Sequence, residues 1–239
     1  MNIKKKLLLG MLVCIIITSS YFALFPSIQA AELTVSKTGS ITSIQQAINQ
    51  ADSFDTIYVM AGLYIEQIII DKTITLIGEN KSNTTLSSFN NTCITIRADN
   101  VTIQGFTLQN SNQAIFINQS NNGIIYNNNI KNNSYGLVID LQSNLNTIYH
   151  NNFVKNDVQA VDTIGNLWSQ FGQGNYWDDY KGSDTNNNDI GDTSYIIQEN
   201  ISEDEYPLIK PLTLAPHAEF YFSPSDPNTQ DMMVKNRIA

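Results

Sequence analysis

Three segments of about 22 residues align with one another between Ile94 and Asn166, and this repeat restricts the fold more than any other feature of the chain. Asn128 of the second segment falls over Asn151 of the third. Two apolar columns keep the same spacing: Ile103, Ile125 and Ile148, and then Leu108, Ile130 and Phe153. A fixed period in this range is typical of repeat architectures, in which each repeat stacks on the next.

Within each repeat, apolar residues alternate with polar ones, as in a strand that buries one face. A second short apolar run follows, at Ala114–Ile117, Gly136–Ile139 and Ala160–Val161. One coil cannot bury its own inner face, but stacked coils bury the apolar columns and pair each other's backbone groups. The repeat therefore predicts an all-β solenoid with Asn128 and Asn151 in a hydrogen-bonded ladder. Polar low complexity is the alternative for the asparagine runs, but it does not explain the apolar columns.

These repeats resemble the parallel β-helix repeats of NosD-type proteins and of the wider pectin-lyase-like superfamily, over roughly residues 32 to 212. The resemblance implies a right-handed parallel β-helix. Because many members of that superfamily are secreted or surface carbohydrate-active proteins, it also implies export and contact with a polysaccharide. The NosD name adds a role in the maturation of a copper enzyme as an alternative.

The two ends of the solenoid need covers, since an exposed sheet edge recruits other chains. After a first strand at Leu33–Val35, Ser43 can cap a helix whose apolar face includes Ile44, Ala47 and Ile48. We interpret this helix as the N-terminal lid. Further strands are expected at Thr56–Val59, Ile68–Ile70 and Ile74–Gly78, and a loop is expected at Asn80–Asn91.

The periodic pattern ends at Asn166 and is followed by clustered aromatic residues. The segment Gly174–Tyr180 resembles the segment after the last coil in NosD-type surface proteins. An aromatic cap over the C-terminal end is the first interpretation. The alternative is that exposed rings stack on sugars. The candidates for stacking are Trp168, Tyr176, Trp177 and Tyr180.

Four regions follow from these patterns. Residues 1–30 read as a signal peptide, because Lys4–Lys6 precede an apolar run from Leu7 to Phe25, with an uncleaved membrane anchor as the alternative. Residues 31–166 form the β-helix and residues 167–212 the cap. Residues 213–239 resemble the start of a polycystic-kidney-disease-type β-sandwich and are expected to be poorly ordered.

The formal net charge is −9, and the first 30 residues hold three lysines and no acid. This balance argues against nucleic acid and anionic membrane surfaces as partners and is compatible with metal cations and neutral sugars. A membrane contact would then need an uncleaved N-terminal segment. Of the two cysteines, Cys14 lies in the leader, so Cys93 has no disulfide partner in a mature chain and reads as a small buried residue.

An acidic loop between Asp184 and Asp192 is the strongest candidate for a cation site. Side-chain oxygens at Asp184, Asn186, Asn188 and Asp192 have the one-three-five-nine spacing of a calcium loop, and the carbonyl of Ile190 would occupy position seven. Asn188 is a neutral amide and position six is Asp189 rather than glycine, so the predicted calcium affinity is weak. A hydrogen-bonded polar turn is the alternative.

Catalytic residues are hard to find in this sequence. Hydrolases and lyases need clustered carboxylates, yet no second coil repeats the acids Asp157 and Asp162. His150, His217 and Cys93 do not cluster in sequence, so no copper site is evident. We therefore expect an exported, surface-associated β-helix that is non-catalytic and structural or carbohydrate-binding. A carbohydrate-active enzyme and a NosD-like accessory protein are the alternatives.

Overall fold

The computed structural model describes residues 30–213, which form a right-handed parallel β-helix with one short helix. The predicted fold class is confirmed. The elements, in chain order, are β1 (Glu32–Val35), α1 (Ile44–Gln50), β2 (Thr56–Val59), β3 (Gly62–Ile65), β4 (Ile68–Ile70), β5 (Thr75–Gly78), β6 (Thr84–Ser87), β7 (Thr92–Ile96), β8 (Thr102–Gln104), β9 (Thr107–Gln109), β10 (Gln113–Ile117), β11 (Ile124–Tyr126), β12 (Asn129–Lys131), β13 (Tyr135–Ile139), β14 (Thr147–Tyr149), β15 (Asn152–Val154), β16 (Val158–Val161), β17 (Tyr176–Trp177), β18 (Tyr195–Gln198) and β19 (Ser202–Asp204).

Three parallel sheets form the walls of the solenoid. Sheet A has the order β1-β2-β5-β8-β11-β14, sheet B the order β3-β6-β9-β12-β15-β17, and sheet C the order β4-β7-β10-β13-β16. In the regular coils each turn gives one strand to each sheet, so three corners run along the molecule. We call them the A–B, B–C and C–A corners after the sheets they join.

The register is the one the repeat predicts. In sheet A, Ile125 pairs with Ile103 on one side and Ile148 on the other. Their side chains are fully buried, as is the equivalent column in sheet B. Burial of such side chains is the main favourable contribution to the stability of a solenoid, because no coil has a core of its own. The prediction that Ile125 points into the solenoid is confirmed.

Two coils approach each other closely at the A–B corner that follows β5 and β8. Gly105 has a φ of +83°, a conformation that favours glycine, and a Cβ atom there would collide with the carbonyl oxygen of Gly78 in the preceding coil. In the next coil Asn127 lies over Gly105 with a φ of 54°, and Asn128 lies over the buried Phe106 at the inward-facing position. The inward-facing position of the corner therefore changes from a phenylalanine ring to an amide ladder.

That amide ladder consists of Asn128, Asn151 and Asn175, and we call it the inner asparagine ladder. The Oδ1 of Asn151 accepts both the backbone N–H and the side-chain NH2 of Asn128, each at 3.0 Å. Asn175 repeats this arrangement with Asn151, at 3.1 and 3.0 Å. All three side chains are fully buried, so the ladder satisfies corner groups that water cannot reach. The predicted ladder is confirmed.

Helix α1 covers the N-terminal end, as the sequence predicts. Ser43 is the N-cap, and its Oγ accepts the N–H of Gln46 at 3.3 Å. The carboxylate of Glu66 also accepts the N–H groups of Ile44 and Gln45, both at 3.1 Å. The side-chain amide of Gln45 in turn bonds the N–H and carbonyl of Ile69, at 2.7 and 3.3 Å. The amide thus satisfies backbone groups at the edge of β4 that would otherwise be unpaired.

Two expectations about element bounds are wrong. The polar segment Asn80–Asn91 is not one loop, because it contains β6, which pairs with β3 and β9. The regular coil also does not end at Asn166, since β17 pairs with β15 and adds a further strand to sheet B. In both places the backbone hydrogen bonds of the neighbouring coil impose a strand on a sequence with a weak apolar pattern.

The predicted signal peptide lies outside the described residues apart from Ala30, and the predicted start of a further domain lies outside them beyond residue 213. Between residues 30 and 213, no helix is both long and apolar enough to cross a membrane.

Candidate functional site

A polar groove of about 380 Å³ runs along the B–C corner over several coils. We call it the corner groove. Its lining residues come from successive coils and are Phe89, Asn90, Asn110, Ser111, Asn132, Asn133, Ser134, Lys155 and Asp157. The groove lies along the side of the solenoid, between its two capped ends.

The repeat builds the floor of this groove. Asn110, Asn132 and Lys155 each follow a sheet B strand directly and share a φ of 53–54°. Asparagine tolerates this left-handed conformation better than most residues, which explains its use at the turn. Stacking of equivalent turns therefore places one polar side chain per coil along the same line.

A second ladder holds the turns in place beneath the groove. The Oδ1 of Asn133 accepts the N–H of Ser111 at 3.0 Å, and the Oδ1 of Asn156 accepts the N–H of Asn133 at 3.1 Å. All three residues are buried. The groove floor is thus fixed by hydrogen bonds before any ligand binds, which lowers the entropic cost of binding.

The polar side chains above the ladder remain available. Within residues 30–213, the side chains of Asn110, Asn132 and Lys155 make no hydrogen bond to the protein. Asn110 and Asn132 offer amide donors and acceptors, while Lys155 and Asp157 carry opposite charges. This combination suits a ligand rich in hydroxyl groups.

Phe89 stands at one end of the groove and is 56% exposed. Its φ of 42° and the 72° of Asn90 place two consecutive residues in the left-handed region. A bulky residue at positive φ is uncommon and costs free energy, and such positions are enriched at binding sites. Two more exposed phenylalanines, Phe54 and Phe171, also have positive φ but do not line the groove.

The four aromatic residues predicted to stack on sugars take different positions. Trp168 and Trp177 are each only 1% exposed, so their ring faces are closed to a sugar. Trp177 is stacked between Phe153 and Tyr195, at centroid distances of 4.3 and 4.2 Å. The stacking prediction is wrong for both tryptophans, because the open end of the apolar column needs large side chains to fill it. They form the predicted aromatic cap.

Tyr176 and Tyr180 are half-buried. The hydroxyl of Tyr180 donates to the carbonyl of Thr193 at 2.6 Å, which ties it to the segment after the acidic loop. Neither ring lies in the corner groove. A stacking role for these two tyrosines stays a prediction.

The buried carboxylate of Asp162 holds the cap in place. Asp162 accepts hydrogen bonds from the indole N–H of Trp168 at 2.9 Å, from the hydroxyl of Ser202 at 2.8 Å and from three N–H groups nearby. Burial alone would raise the pKa of Asp162, but these hydrogen bonds outweigh it and lower the pKa. Asp162 is therefore a structural anion rather than a catalytic one.

The acidic loop is a turn held by hydrogen bonds to its own side chains. The carboxylate of Asp184 accepts the N–H groups of Asn188 and Asp189, at 3.1 and 2.9 Å. Asn186 accepts from Asn188, and Asn188 accepts from Ile190, both at 3.0 Å. Position six, Asp189, has a φ of 65°, the conformation for which calcium loops use glycine.

The last predicted ligand of the loop points to the same turn. Asp192 accepts the N–H of Thr185 at 2.9 Å and the hydroxyl of Ser183 at 3.2 Å. These hydrogen bonds, chiefly those from Thr185, lower the pKa of Asp192. Asp189, in contrast, forms an exposed ion pair with Lys210 at 2.6 Å. The five predicted positions therefore belong to one closed turn, and calcium binding there stays a prediction.

The other residues considered for chemistry are separated. Asp157 lines the corner groove, whereas Asp162 is buried under the cap. His150 lies at the A–B corner, where its Nε2 is 2.7 Å from the Oε1 of Gln173. Cys93 is fully buried, and burial raises the pKa of its thiol to about 12. A buried, protonated thiol is a packing residue, as the sequence predicts.

The family model described as periplasmic copper-binding protein (NosD) matches residues 57–182, more than half of the chain. This chain belongs to the NosD family. The matched region runs from Ile57 within β2 to beyond β17 and contains the corner groove.

Two relatives of this NosD-family chain match it over shorter stretches. A probable ABC transporter binding protein NosD from Stutzerimonas stutzeri is 36% identical over 111 residues, which is 45% of this chain and 26% of that protein. A cell surface glycoprotein from Methanothermus fervidus is 33% identical over 130 residues, 54% of this chain and 21% of that protein. The matches thus span about a quarter and a fifth of these relatives.

Solved structures with a similar fold include pectin methylesterases. The carrot enzyme is 11% identical, with a TM-score of 0.38, over 64% of this chain and 62% of its own. The enzyme from Aspergillus niger is 23% identical, with a TM-score of 0.32, over 63% of this chain and 48% of its own. Such identities concern the fold alone.

The family description names copper, which binds best to clustered imidazole, thiolate and thioether groups. Across residues 30–213, no three side chains of His, Cys, Asp or Glu come together in a way that could hold a metal ion. Met60, Cys93 and His150 lie at different places along the solenoid, and Cys93 is buried. The described residues therefore do not fit a copper site.

Proposed function

We propose that this NosD-family chain is an exported, surface-associated β-helix that binds a polysaccharide in the corner groove without transforming it. The names of its two relatives, a cell surface glycoprotein and a transporter binding protein, support a location outside the cytoplasm. The strongly acidic composition is compatible with a neutral glycan as ligand.

The corner groove is the observation that carries this proposal. A polysaccharide is a linear ligand with hydroxyl groups at regular intervals, and the groove offers one polar side chain per coil along a line. The exposed ring of Phe89 provides an apolar face for the C–H groups of a sugar at one end. Asn110 and Asn132 provide the hydrogen-bonding groups beside it.

The number of carboxylates in the corner groove supports binding without turnover. Glycoside hydrolysis needs two carboxyl groups on either side of the bond that breaks. Among the lining residues the corner groove has one carboxylate, Asp157, and beside it the cation Lys155. A carbohydrate-active enzyme remains the alternative, and it would have to work with this single acid.

An accessory role in copper-enzyme maturation is the other alternative, and membership of the NosD family supports it. Because the described residues do not fit a copper site, such a role would depend on contact with a partner protein rather than on metal held in the solenoid.

We also propose that the acidic loop binds calcium weakly and thereby stabilises the cap. The positive φ of Asp189 and the turn made by Asp184, Asn186 and Asn188 support this proposal. Two of the side-chain ligands are neutral amides, which lowers the affinity for calcium. We therefore expect a Kd in the range of extracellular modules, about 10⁻⁴–10⁻³ M.

The glycan proposal is tested by binding to a panel of neutral and acidic polysaccharides, with the full chain and three variants. We expect Phe89→Ala to weaken binding about tenfold, as the loss of one aromatic contact of about 1.4 kcal/mol would. Asn132→Ala, as a separate variant, should also weaken binding, because the hydrogen bonds of the amide to the glycan are lost. Phe171→Ala is the matched control, since Phe171 is 93% exposed and has a φ of 53° but lies outside the groove.

The proposal that the corner groove is the binding site would be contradicted by equal binding of wild type and Phe89→Ala. It would also be contradicted if no polysaccharide bound at all. Release of reducing ends or of unsaturated products from a bound polysaccharide would establish the enzyme alternative instead.

A further inference from the structure

Sheet C carries apolar side chains on both of its faces. Its inner face supplies buried core residues such as Ile94 and Ile115. Its outer face consists of two aligned columns of side chains that are exposed or half-buried, and none of them carries a charge. Parallel strands that are apolar on both faces are typical of sheets that are covered on both sides. The outward-facing residues are Ile69, Thr95, Phe116, Val138 and Val161 in one column and Thr92, Gln113, Tyr135 and Val158 in the other.

The outer faces of the other two sheets are more polar. On sheet B the outward side chains include Asn129, Lys131 and Asn152. On sheet A, threonine occupies four of five aligned outward positions, at Thr56, Thr75, Thr102 and Thr147. On sheet C, in contrast, Ile69, Tyr135 and Val158 are 38–40% exposed. Residues 30–213 therefore leave an apolar sheet face open to solvent.

The size of this face fits a small protein interface. Five strands of three to five residues, spaced about 4.8 Å apart, cover roughly 400 Å². Exposed apolar patches of this size on a single chain are often functional. Two such faces in contact, together with their rims, bury roughly 1,000 Å², which is the low end for a specific interface. The area therefore indicates a weak and reversible association.

A second copy of this chain offers a matching surface. A sheet face packs well against another sheet face when the strands of the two are aligned within about 30°. Phe116 is the third of the five residues in its column, with Thr95 and Val138 beside it and Ile69 and Val161 at the ends. A two-fold axis parallel to the strands lays Phe116 over its own copy and β7 over β13 of the second copy. Each small side chain then meets a small or branched one, so the column is self-complementary.

The charges at the C–A corner favour this axis over the other two-fold arrangement. Arg97, Asn118 and Asp140 occupy aligned positions directly after β7, β10 and β13. Arg97 is exposed, and it forms no salt bridge within the described part of the chain. The axis parallel to the strands brings Arg97 of each copy to Asp140 of the other. An axis along the solenoid brings Arg97 to the opposite rim of its own coil, where Asn91 stands.

We propose that the outer face of sheet C is a self-association surface, through which two copies of this chain form a weak two-fold dimer. Phe116 lies on the axis, and Arg97 of each copy pairs with Asp140 of the other. Because the face itself is uncharged, the net charge of −9 opposes the dimer only at long range, and salt screens that repulsion. The dimer does not depend on the corner groove or on any ligand, so either proposal can fail without the other.

Analytical ultracentrifugation of the full chain over a range of concentrations, in about 150 mM salt, tests the dimer. We expect the wild type to show a monomer–dimer equilibrium with a Kd of roughly tens of micromolar, given the small area. Phe116→Lys places a charge at the centre of the face and should weaken the dimer by at least about tenfold. Ile77→Lys is the matched control and should dimerise like the wild type, since Ile77 is a half-buried apolar residue on the outer face of sheet A.

A charge swap tests the arrangement of the two copies. Arg97→Asp brings like charges together at both ends of the interface and should weaken the dimer about tenfold. Adding Asp140→Arg to the same chain restores opposite charges and should recover part of the loss. Asp140 also holds its own turn through hydrogen bonds from Gln142 and Ser143, so thermal unfolding checks that the double variant is folded.

The proposal is overturned if the wild type stays monomeric at every concentration, a result that depends on no variant. It is also overturned if a folded Phe116→Lys dimerises like the wild type, or if Ile77→Lys loses the dimer to the same extent. An unchanged Kd for Arg97→Asp, or a folded double variant that recovers nothing, contradicts the pairing of Arg97 with Asp140.

Discussion

The indole N–H of Trp177 donates a hydrogen bond of 2.9 Å to the buried carboxylate of Asp204. The same carboxylate accepts the backbone N–H of Asn175 at 2.7 Å, so it ends the inner asparagine ladder. Asp204 belongs to β19, which pairs with β18 outside the three sheets. This contact therefore joins the last coil to the β18–β19 hairpin and helps to close the end of the solenoid.

The free energy of unfolding is expected to depend on pH through the ionisation of Asp204. Burial raises its pKa to about 6, against the lowering effect of the four hydrogen bonds that it accepts. Because the folded state holds the proton more tightly than the unfolded chain, its contribution to stability is fully present below about pH 4 and is lost as the pH rises through 6. The loss amounts to roughly 3 kcal/mol.

Asp204→Asn isolates this effect, since an amide does not titrate. The free energy of unfolding of the variant, relative to wild type, should increase by roughly 3 kcal/mol between pH 4 and pH 7, as measured by denaturant titration at each pH. Asp71→Asn, at an exposed turn position, should show no such trend. A constant difference between Asp204→Asn and wild type across this range would mean that the buried carboxylate titrates normally.

Ile125 and its neighbour Ile124 give a test of the strand register. Ile125 is fully buried, whereas Ile124 is 38% exposed on the outer face of the same strand. Ile125→Asp places an unpaired charge in the apolar column and should destabilise the protein by several kcal/mol. Ile124→Asp should cost less than about 1 kcal/mol, and equal melting temperatures for the two variants would contradict the register.

Asn128 tests the inner asparagine ladder. Its Oδ1 accepts the N–H of Phe106 at 3.0 Å, and its NH2 donates to the carbonyls of Ile103 and Tyr126. Asn128→Ala leaves these buried groups without partners and should cost about 2–4 kcal/mol of unfolding free energy. Asn112→Ala, on an exposed side chain, should change it by less than about 0.5 kcal/mol. Similar losses in both variants would show that the ladder adds little.

The repeat made the solenoid predictable because one register buries every apolar column at once. Ile103, Ile125 and Ile148 could satisfy a common core only as stacked coils. The strand β6 could not be predicted, since Thr84–Ser87 has a single apolar residue, Leu86, and owes its conformation to backbone pairing with its neighbours. Local pattern carries no information about such pairing.

The corner groove was only partly accessible to sequence reasoning. Asn110, Asn132 and Lys155 end the three aligned segments, so their common column was visible in the repeat. The position of Phe89 in the groove could not be predicted from the repeat, because the turn before β7 has no counterpart of the same length in later coils. The tryptophans were ambiguous for another reason: an aromatic cap and an aromatic binding surface have the same composition, and only burial separates them.

The acidic loop gives the last prediction. Calcium should raise the Tm of the full chain at millimolar concentration, because a ligand that binds only the folded state stabilises it. Asp184→Ala and Asp192→Ala should each abolish the rise, since they remove the two charged side chains among the five predicted ligands. Asp189→Gly should keep or strengthen it, because glycine adopts the φ of 65° at position six more readily and Asp189 contacts Lys210 instead.

Asp71→Ala is the control for loss of one exposed carboxylate, and it should leave the calcium response unchanged. Asp140→Ala serves less well on its own, because Asp140 accepts hydrogen bonds from Gln119, Gln142 and Ser143 and its loss would lower the starting Tm. Magnesium at the same concentration separates specific binding from screening, since a loop of this length suits the larger ion. A flat thermal shift, with no heat in calorimetric titration at millimolar calcium, would leave the loop as a hydrogen-bonded turn that holds its shape without a metal.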